Sequence, residues 1–149
     1  MKKIILVLIV LVFSIAKVEA QKMNRQKIKL LKTSFITDAI DLSPREAEQF
    51  WPIYNMYTDK IQDLKRSRDT DIQHTLKSNG GIDNVSEEDA QKTLDHMLSL
   101  EKQIGENNAT MIKELNKIIS AKKIIKLQRA EHDFNRQMLE EFGRRKRMQ

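Results

Sequence analysis

Hydrophobic residues recur every three or four positions along most of this chain, which is the spacing of an amphipathic α-helix. β-Branched residues do not alternate with polar ones, and glycine and proline are scarce. The periodic segments predict four helices, over about 24–40, 44–77, 87–118 and 121–142. The predicted fold class is therefore all-α, with the two long middle helices forming an elongated, bent hairpin.

The second predicted helix has the most regular apolar stripe. Ser43 is suited to its N-cap, Pro44 to the first helical position, and Glu46 to the position from which a capping box reaches back to the cap. We expect Pro52 to bend this helix rather than end it, because the stripe continues in phase beyond the proline. The members of the stripe are Ala47, Phe50, Tyr54, Tyr57, Ile61 and Leu64.

The other helices have less regular stripes, and turn residues separate them. Asn79-Gly80-Gly81 predicts the end of the second helix, Ser86 the N-cap of the third, and Gly143 the cap that ends the fourth. The first helix is predicted to bury Ile28, Leu31, Phe35 and Ala39, with Leu30 and Ile36 widening the stripe; the fourth is predicted to bury Ile124, Leu127, Phe134, Met138 and Phe142.

The stripe of the third helix contains two polar positions midway. It reads Ala90, Leu94, Met97, Glu101, Ile104, Asn108, Met111, Leu115 and Ile118. Polar residues in a seam are unusual for a closed core and suit a helix whose middle is partly open. The methionines have two interpretations, core filling or an adaptable surface for varied apolar clients. The candidate client surface is formed by Met97, Glu101, Ile104, Asn108 and Met111.

The first twenty residues have the pattern of a secretory signal peptide. Lys2 and Lys3 precede an apolar run from Ile4 to Ala16, and Val18-Glu19-Ala20 resembles a cleavage site. The run is too short to span a bilayer. The predicted organisation is a signal peptide over 1–20, a single helical domain over 21–143, and a basic tail over 144–149. We expect an exported, periplasmic protein whose mature chain begins near Gln21.

Few residues suggest catalysis or metal chemistry. The chain has no cysteine, no glycine-rich phosphate loop, and no histidine beside a plausible nucleophile, so we expect neither an enzyme nor a bound cofactor. Asp71 and His74 share a helix face by spacing, but a tight transition-metal site needs three or four converging ligands. We therefore expect exposed histidines rather than a metal site.

Two short motifs resemble those of a known family. Leu42-Ser43-x-x-Glu46 is similar to the LTxxQ motif of the Spy/CpxP family of small periplasmic helical proteins, with capping chemistry preserved at both changed positions. The run from Phe50 to Tyr57 is similar to a branch of that family described as possible sensors of extracytoplasmic sigma factors. A degenerate second copy begins at Ile119-Ser120, where the proline and the Glu or Gln are missing.

The resemblance implies a cradle-shaped homodimer and a chaperone or envelope-stress function. Such a protein would hold unfolded clients without ATP, through weak apolar contacts bracketed by charge. The alternative is a signalling accessory that binds the periplasmic part of a membrane sensor or an anti-sigma factor, and a metal-sensing protein is a third possibility. No nucleic-acid partner is expected for an exported chain. The tail Arg144-Arg145-Lys146-Arg147 adds a possible weak contact with an anionic membrane surface.

Overall fold

The computed structural model describes residues 26–147, and all regular secondary structure in this range is helical. The prediction of an all-α chain with four helices and no strand is confirmed for these residues. The predicted signal peptide and the predicted helix start at Asn24 lie outside the described residues. The helices are α1 (26–40 in the described chain), α2 (Pro44–Ser78), α3 (Glu87–Leu115) and α4 (Ala121–Arg147), with a 3₁₀ turn at Ile82–Asn84.

The chain divides into two compact units. Within the described residues, the first unit comprises 26–41 and 125–147, which are α1 and most of α4. The second unit is Leu42–Ile124, which holds α2, α3 and the first turn of α4. Each unit has its own set of buried apolar side chains.

In the first unit, the buried face of α1 differs from the predicted one. Leu31 and Ala39 were expected in the core, and Leu30 beside them, but all three are exposed. Ile36, which was expected to widen the stripe, is fully buried, and so is Ile40, which was not assigned to the stripe. Apolar residues occupy two adjacent stripes of this helix, so spacing alone did not select the buried one. The α4 residues buried in this unit are Leu127, Ala130 and Phe134, and the Phe134 ring lies 5.7 Å from that of Phe35.

In the second unit, α2 and α3 pack as an antiparallel hairpin. Contacts between them pair Arg68 with Glu101 and Thr75 with Thr93, so positions rise on one helix as they fall on the other. The predicted α2 stripe is confirmed at its centre, because Phe50, Tyr54 and Ile61 are buried. The buried residues of the unit are Leu42, Phe50, Tyr54, Ile61, Leu100, Ile104, Met111, Leu115, Ile119 and Ile124.

The buried residues of the second unit are confined to one part of it. They all lie in 42–61 or 100–124, which together we call the base. The intervening stretch, 62–99, contains the distal half of α2, the 3₁₀ turn and the start of α3, and none of its residues is buried. We call this stretch the distal arm.

The helix ends agree with the sequence in the middle of the chain and differ toward its C-terminus. α2 ends at Ser78, and Gly80 has the positive φ of 71° that the glycine pair was expected to supply. α3 ends at Leu115, a turn before the predicted Ile118. The prediction that Gly143 ends α4 is wrong, because the helix continues through it to Arg147, into the segment assigned to a tail. Glycine lowers helix stability by about 1 kcal/mol without forbidding the helix.

Candidate functional site

The predicted cap at the start of α2 is present in full. The Ser43 side chain accepts a hydrogen bond from the Glu46 backbone N–H at 3.3 Å, and Glu46 Oε2 accepts one from the Ser43 backbone N–H at 2.8 Å. Pro44 occupies the first turn, and Leu42 is buried just before the cap. The first motif copy therefore fixes where α2 begins and anchors that point to apolar residues.

The second motif copy also caps a helix, and it contacts the first. The Lys123 backbone N–H donates to Ser120 Oγ at 3.3 Å at the start of α4, and Ile119 is buried. Lys123 holds the position that Glu46 holds in the first copy. Its Nζ lies 2.7 Å from Glu46 Oε2 and donates a hydrogen bond to it. The third helical positions of the two motifs thus form an ion pair within the base.

This pairing makes Glu46 an unusually strong acid. The hydrogen bond from Lys123 and the two hydrogen bonds with Ser43 lower the pKa of Glu46 from its ordinary 4.5 to about 2. The group is therefore ionised throughout the physiological range and does not serve as a proton donor. Its role in this arrangement is to hold two helix starts together.

The structure closes the seam that the sequence predicted to be open. Ile104 and Met111 were expected on an accessible client surface, but only 6% and 3% of their surface is exposed. Met97 and Asn108 are half-buried, and Glu101 is exposed. The two predicted surface positions Ile104 and Met111 are therefore core residues of the base. The cause is the direction of the buried face of α3, which is centred on Leu100, Ile104, Met111 and Leu115 and leaves Glu101 at its edge.

In and next to the distal arm, polar contacts between the two helices accompany apolar side chains that are only half-buried. Arg68 forms an ion pair with Glu101 across the two helices, and with Asp69 beside it. The hydrogen bonds to Glu101 and Asp69 raise the pKa of Arg68 above its ordinary value. Farther along, the hydroxyls of Thr75 and Thr93 lie 2.9 Å apart.

Between these contacts, Asp71 faces a histidine of the other helix. Asp71 Oδ2 lies 3.0 Å from His96 Nδ1, yet no aligned hydrogen bond reaches that buried oxygen. The two groups are close without being hydrogen-bonded, because a hydrogen bond also requires the N–H to point at the acceptor oxygen. His74, the partner expected from spacing, is exposed. Within residues 26–147 no three His, Cys, Asp or Glu side chains converge on a point that could hold a metal ion.

One pair of large apolar side chains is exposed where α3 leaves the base. Leu94 and Leu98 are one helical turn apart and retain 42% and 56% of their surface. Glu101 and Gly105 continue the same side of the helix and are also exposed. The result is a small apolar patch bordered by the Arg68–Glu101 ion pair. We call Leu94 and Leu98 the leucine patch.

No protein-family model matches this chain, and no curated protein or solved structure has significant similarity to it. Between residues 26 and 147, no helix combines the length and hydropathy needed to cross a membrane.

Sequence reasoning found the caps and missed the contacts between helices. The pairs Glu46–Lys123 and Asp71–His96 join residues far apart in the chain. A spacing of three or four positions identifies only partners on the same helix, so it could not predict these pairs. For Lys123 a signal was present, since it occupies the position where the first motif copy has a carboxylate. For His96 there was none. The leucine patch was missed because Leu94 was assigned to the seam.

Proposed function

We propose that this protein is an exported holding chaperone of the Spy/CpxP type, which binds unfolded polypeptides without ATP. The observation that supports this proposal best is the leucine patch. Two neighbouring leucines exposed on one helix face, with charged residues around them, suit weak and reversible contact with apolar segments. The motif copies support it further, since both cap helices and meet at Glu46 and Lys123.

The working surface in this proposal differs from the one the sequence favoured. Ile104 and Met111 stabilise the base, and clients contact the leucine patch and the half-buried Met97 beside it. Each contact is weak, so the affinity for an unfolded polypeptide comes from several contacts that form at once and re-form quickly after they break. The cradle-shaped homodimer and the periplasmic location implied by the family resemblance belong to this proposal.

The test is suppression of aggregation by a variant of the leucine patch. Leu94→Gln combined with Leu98→Gln removes the apolar surface while keeping side-chain length and helix propensity. We expect several-fold weaker suppression of the aggregation of an unrelated unfolding protein, measured by light scattering without ATP or metal. Thermal melting followed by circular dichroism should shift by only a few degrees, because exposed substitutions change stability little.

The control is Leu139→Gln, which removes a still more exposed leucine from α4, where 75% of its surface is accessible. It should retain nearly the wild-type activity. A leucine-patch variant as active as the wild type would contradict the assignment of this surface. A wild-type protein that never slows aggregation, even in molar excess, would contradict the chaperone and favour binding to a membrane sensor or anti-sigma factor.

A further inference from the structure

The distal arm is packed less completely than the base, because its inner apolar side chains are half-buried rather than buried. None of the residues 62–99 is buried, whereas the adjoining base buries side chains from both helices, among them Ile61 and Leu100 at the boundary. Helices in water are held mainly by burial of an apolar face, and segments with few buried contacts open most easily. The boundary between the two regions therefore lies close to Ile61 on α2 and Leu100 on α3.

Besides its half-buried apolar side chains, the arm is held by polar contacts of a kind that water replaces readily. These are the Asp71–His96 pair and the hydrogen bond between Thr75 and Thr93. The Arg68–Glu101 pair joins the arm to the base at their boundary. Exposed ion pairs and partly exposed hydroxyl pairs stabilise little, since separated groups are solvated instead. Asp71 Oδ2 is already buried without an aligned hydrogen bond, and separation of the helices would return it to water.

The tip of the arm does not oppose separation. Gly80 and Gly81 have φ values of 71° and 125°, and the 3₁₀ turn that follows comprises only Ile82–Asn84. Glycine moves between backbone regions at low cost, so this turn can follow a change in the angle between the helices. The Asn79 side chain bonds back to the Thr75 carbonyl at 2.9 Å, which keeps the end of α2 intact during such a change.

We propose that the distal arm opens as a unit while the base stays closed, and that the open form is the one that binds clients most strongly. Opening uncovers half-buried apolar side chains on the inner faces of both helices, namely Ile72, Leu76 and Met97, and joins them to the leucine patch. This inference rests on the proposed function and names the conformational step that regulates it.

A reversible lock across the arm tests the proposal. The chain has no cysteine, so Thr75→Cys with Thr93→Cys introduces a single possible disulfide. The hydroxyl oxygens of the two threonines lie 2.9 Å apart, which places the side chains close enough to be bridged. We expect the oxidised variant to suppress aggregation several-fold less than the same variant after reduction. The reduced variant should match Thr75→Ser with Thr93→Ser, which cannot be locked.

The outcomes separate the two proposals. Equal activity of the oxidised and reduced variant would overturn opening of the arm and leave the chaperone standing. Inactivity of the wild type and of the reduced variant would overturn the chaperone and this inference together. If the disulfide does not form or the variant does not fold, hydrogen exchange of the wild type decides. Slow exchange in the arm, equal to that in the base, would then overturn the inference.

Discussion

The base and the distal arm consist of the same two helices, yet different interactions hold them together. In the base, the inner face of α2 presents Phe50, Tyr54 and Ile61, all buried. One turn beyond Ile61 this face continues with Leu64, which is half-buried, and then with Arg68. Beyond Arg68 the face carries Ile72 and Leu76, which are also half-buried, so burial falls from complete to partial within two turns of one continuous helix.

The difference shows that a continuous helix is not uniformly stable. Both regions are built on α2 and α3, which continue from one region into the other, so helical secondary structure does not distinguish them. What distinguishes them is burial, which supplies about 25 cal/mol for each Å² of apolar surface removed from water. Residues of the arm gain less of this free energy, because its apolar side chains are half-buried and none is buried. We therefore expect the arm to open at a lower free-energy cost than the base.

The largest expected effect is on the free energy of unfolding, when a methionine of the base and a methionine of the arm are each truncated to alanine. Met111 and Met97 both lie on α3, but Met111 is buried in the base and Met97 is half-buried in the arm. Met111→Ala should lower the free energy of unfolding by about 2–5 kcal/mol, because it leaves a cavity in the base. Met97→Ala should cost less than about 1.5 kcal/mol, since its surroundings are already open to water.

Chemical denaturation of both variants gives the comparison directly. Equal losses for Met97→Ala and Met111→Ala would mean that the arm is packed as tightly as the base. A difference of the expected sign would also confirm that Met111 is a core residue of the base.

A smaller effect is expected at the ion pair that joins the two motif copies. Glu46 has a pKa of about 2 in the folded protein against 4.5 ordinarily, so its contribution to stability is fully present above about pH 4.5. It declines as the pH falls from there through 2, because the unfolded chain takes up the proton first. Glu46→Gln keeps a side chain that can close the capping box and removes the charge that pairs with Lys123.

The measurement is the free energy of unfolding of the wild type and of Glu46→Gln at several pH values. The wild type should be the more stable at pH 6, and the difference should shrink between pH 4.5 and pH 2. The control Glu101→Gln breaks the pair with Arg68 in the arm, and should change global stability less at pH 6. A gap between wild type and Glu46→Gln that does not vary with pH would contradict the role given to Glu46.

The sequence was sufficient where structure depends on neighbouring residues. The cap formed by Ser43 and Glu46 was predicted and is confirmed, because both its hydrogen bonds lie within one turn. The α2 stripe was predicted because apolar residues spaced three and four apart lie on one face of a helix. Phe50 and Tyr54 are buried as expected. The glycine pair that ends α2 was predicted for the same local reason.

The sequence was insufficient where the packing of one helix against another decides which face is buried. Glu101 was read as part of an open seam, but it lies at the edge of the buried face and Ile104 lies near its centre. A rotation of α3 by a fraction of a turn distinguishes these alternatives, because apolar residues lie on both sides of the predicted seam, with Leu98 on the exposed side and Leu100 on the buried side. The same ambiguity put Leu94 inside, whereas the structure leaves it exposed.

Hydrogen exchange of the wild-type protein tests the difference between base and arm most directly. Amides in the base, in the parts of α2 and α3 around Tyr54 and Ile104, should exchange only when the protein unfolds globally. Amides of the arm in 66–78 and 90–97 should exchange at least about tenfold faster, because helices that have separated lose the packing that stabilises them and unwind more often while the base stays folded. Adding an unfolded client should shift exchange in the arm and leave the base unchanged. Uniform protection along both helices would contradict the account, because the arm would then be as firmly closed as the base.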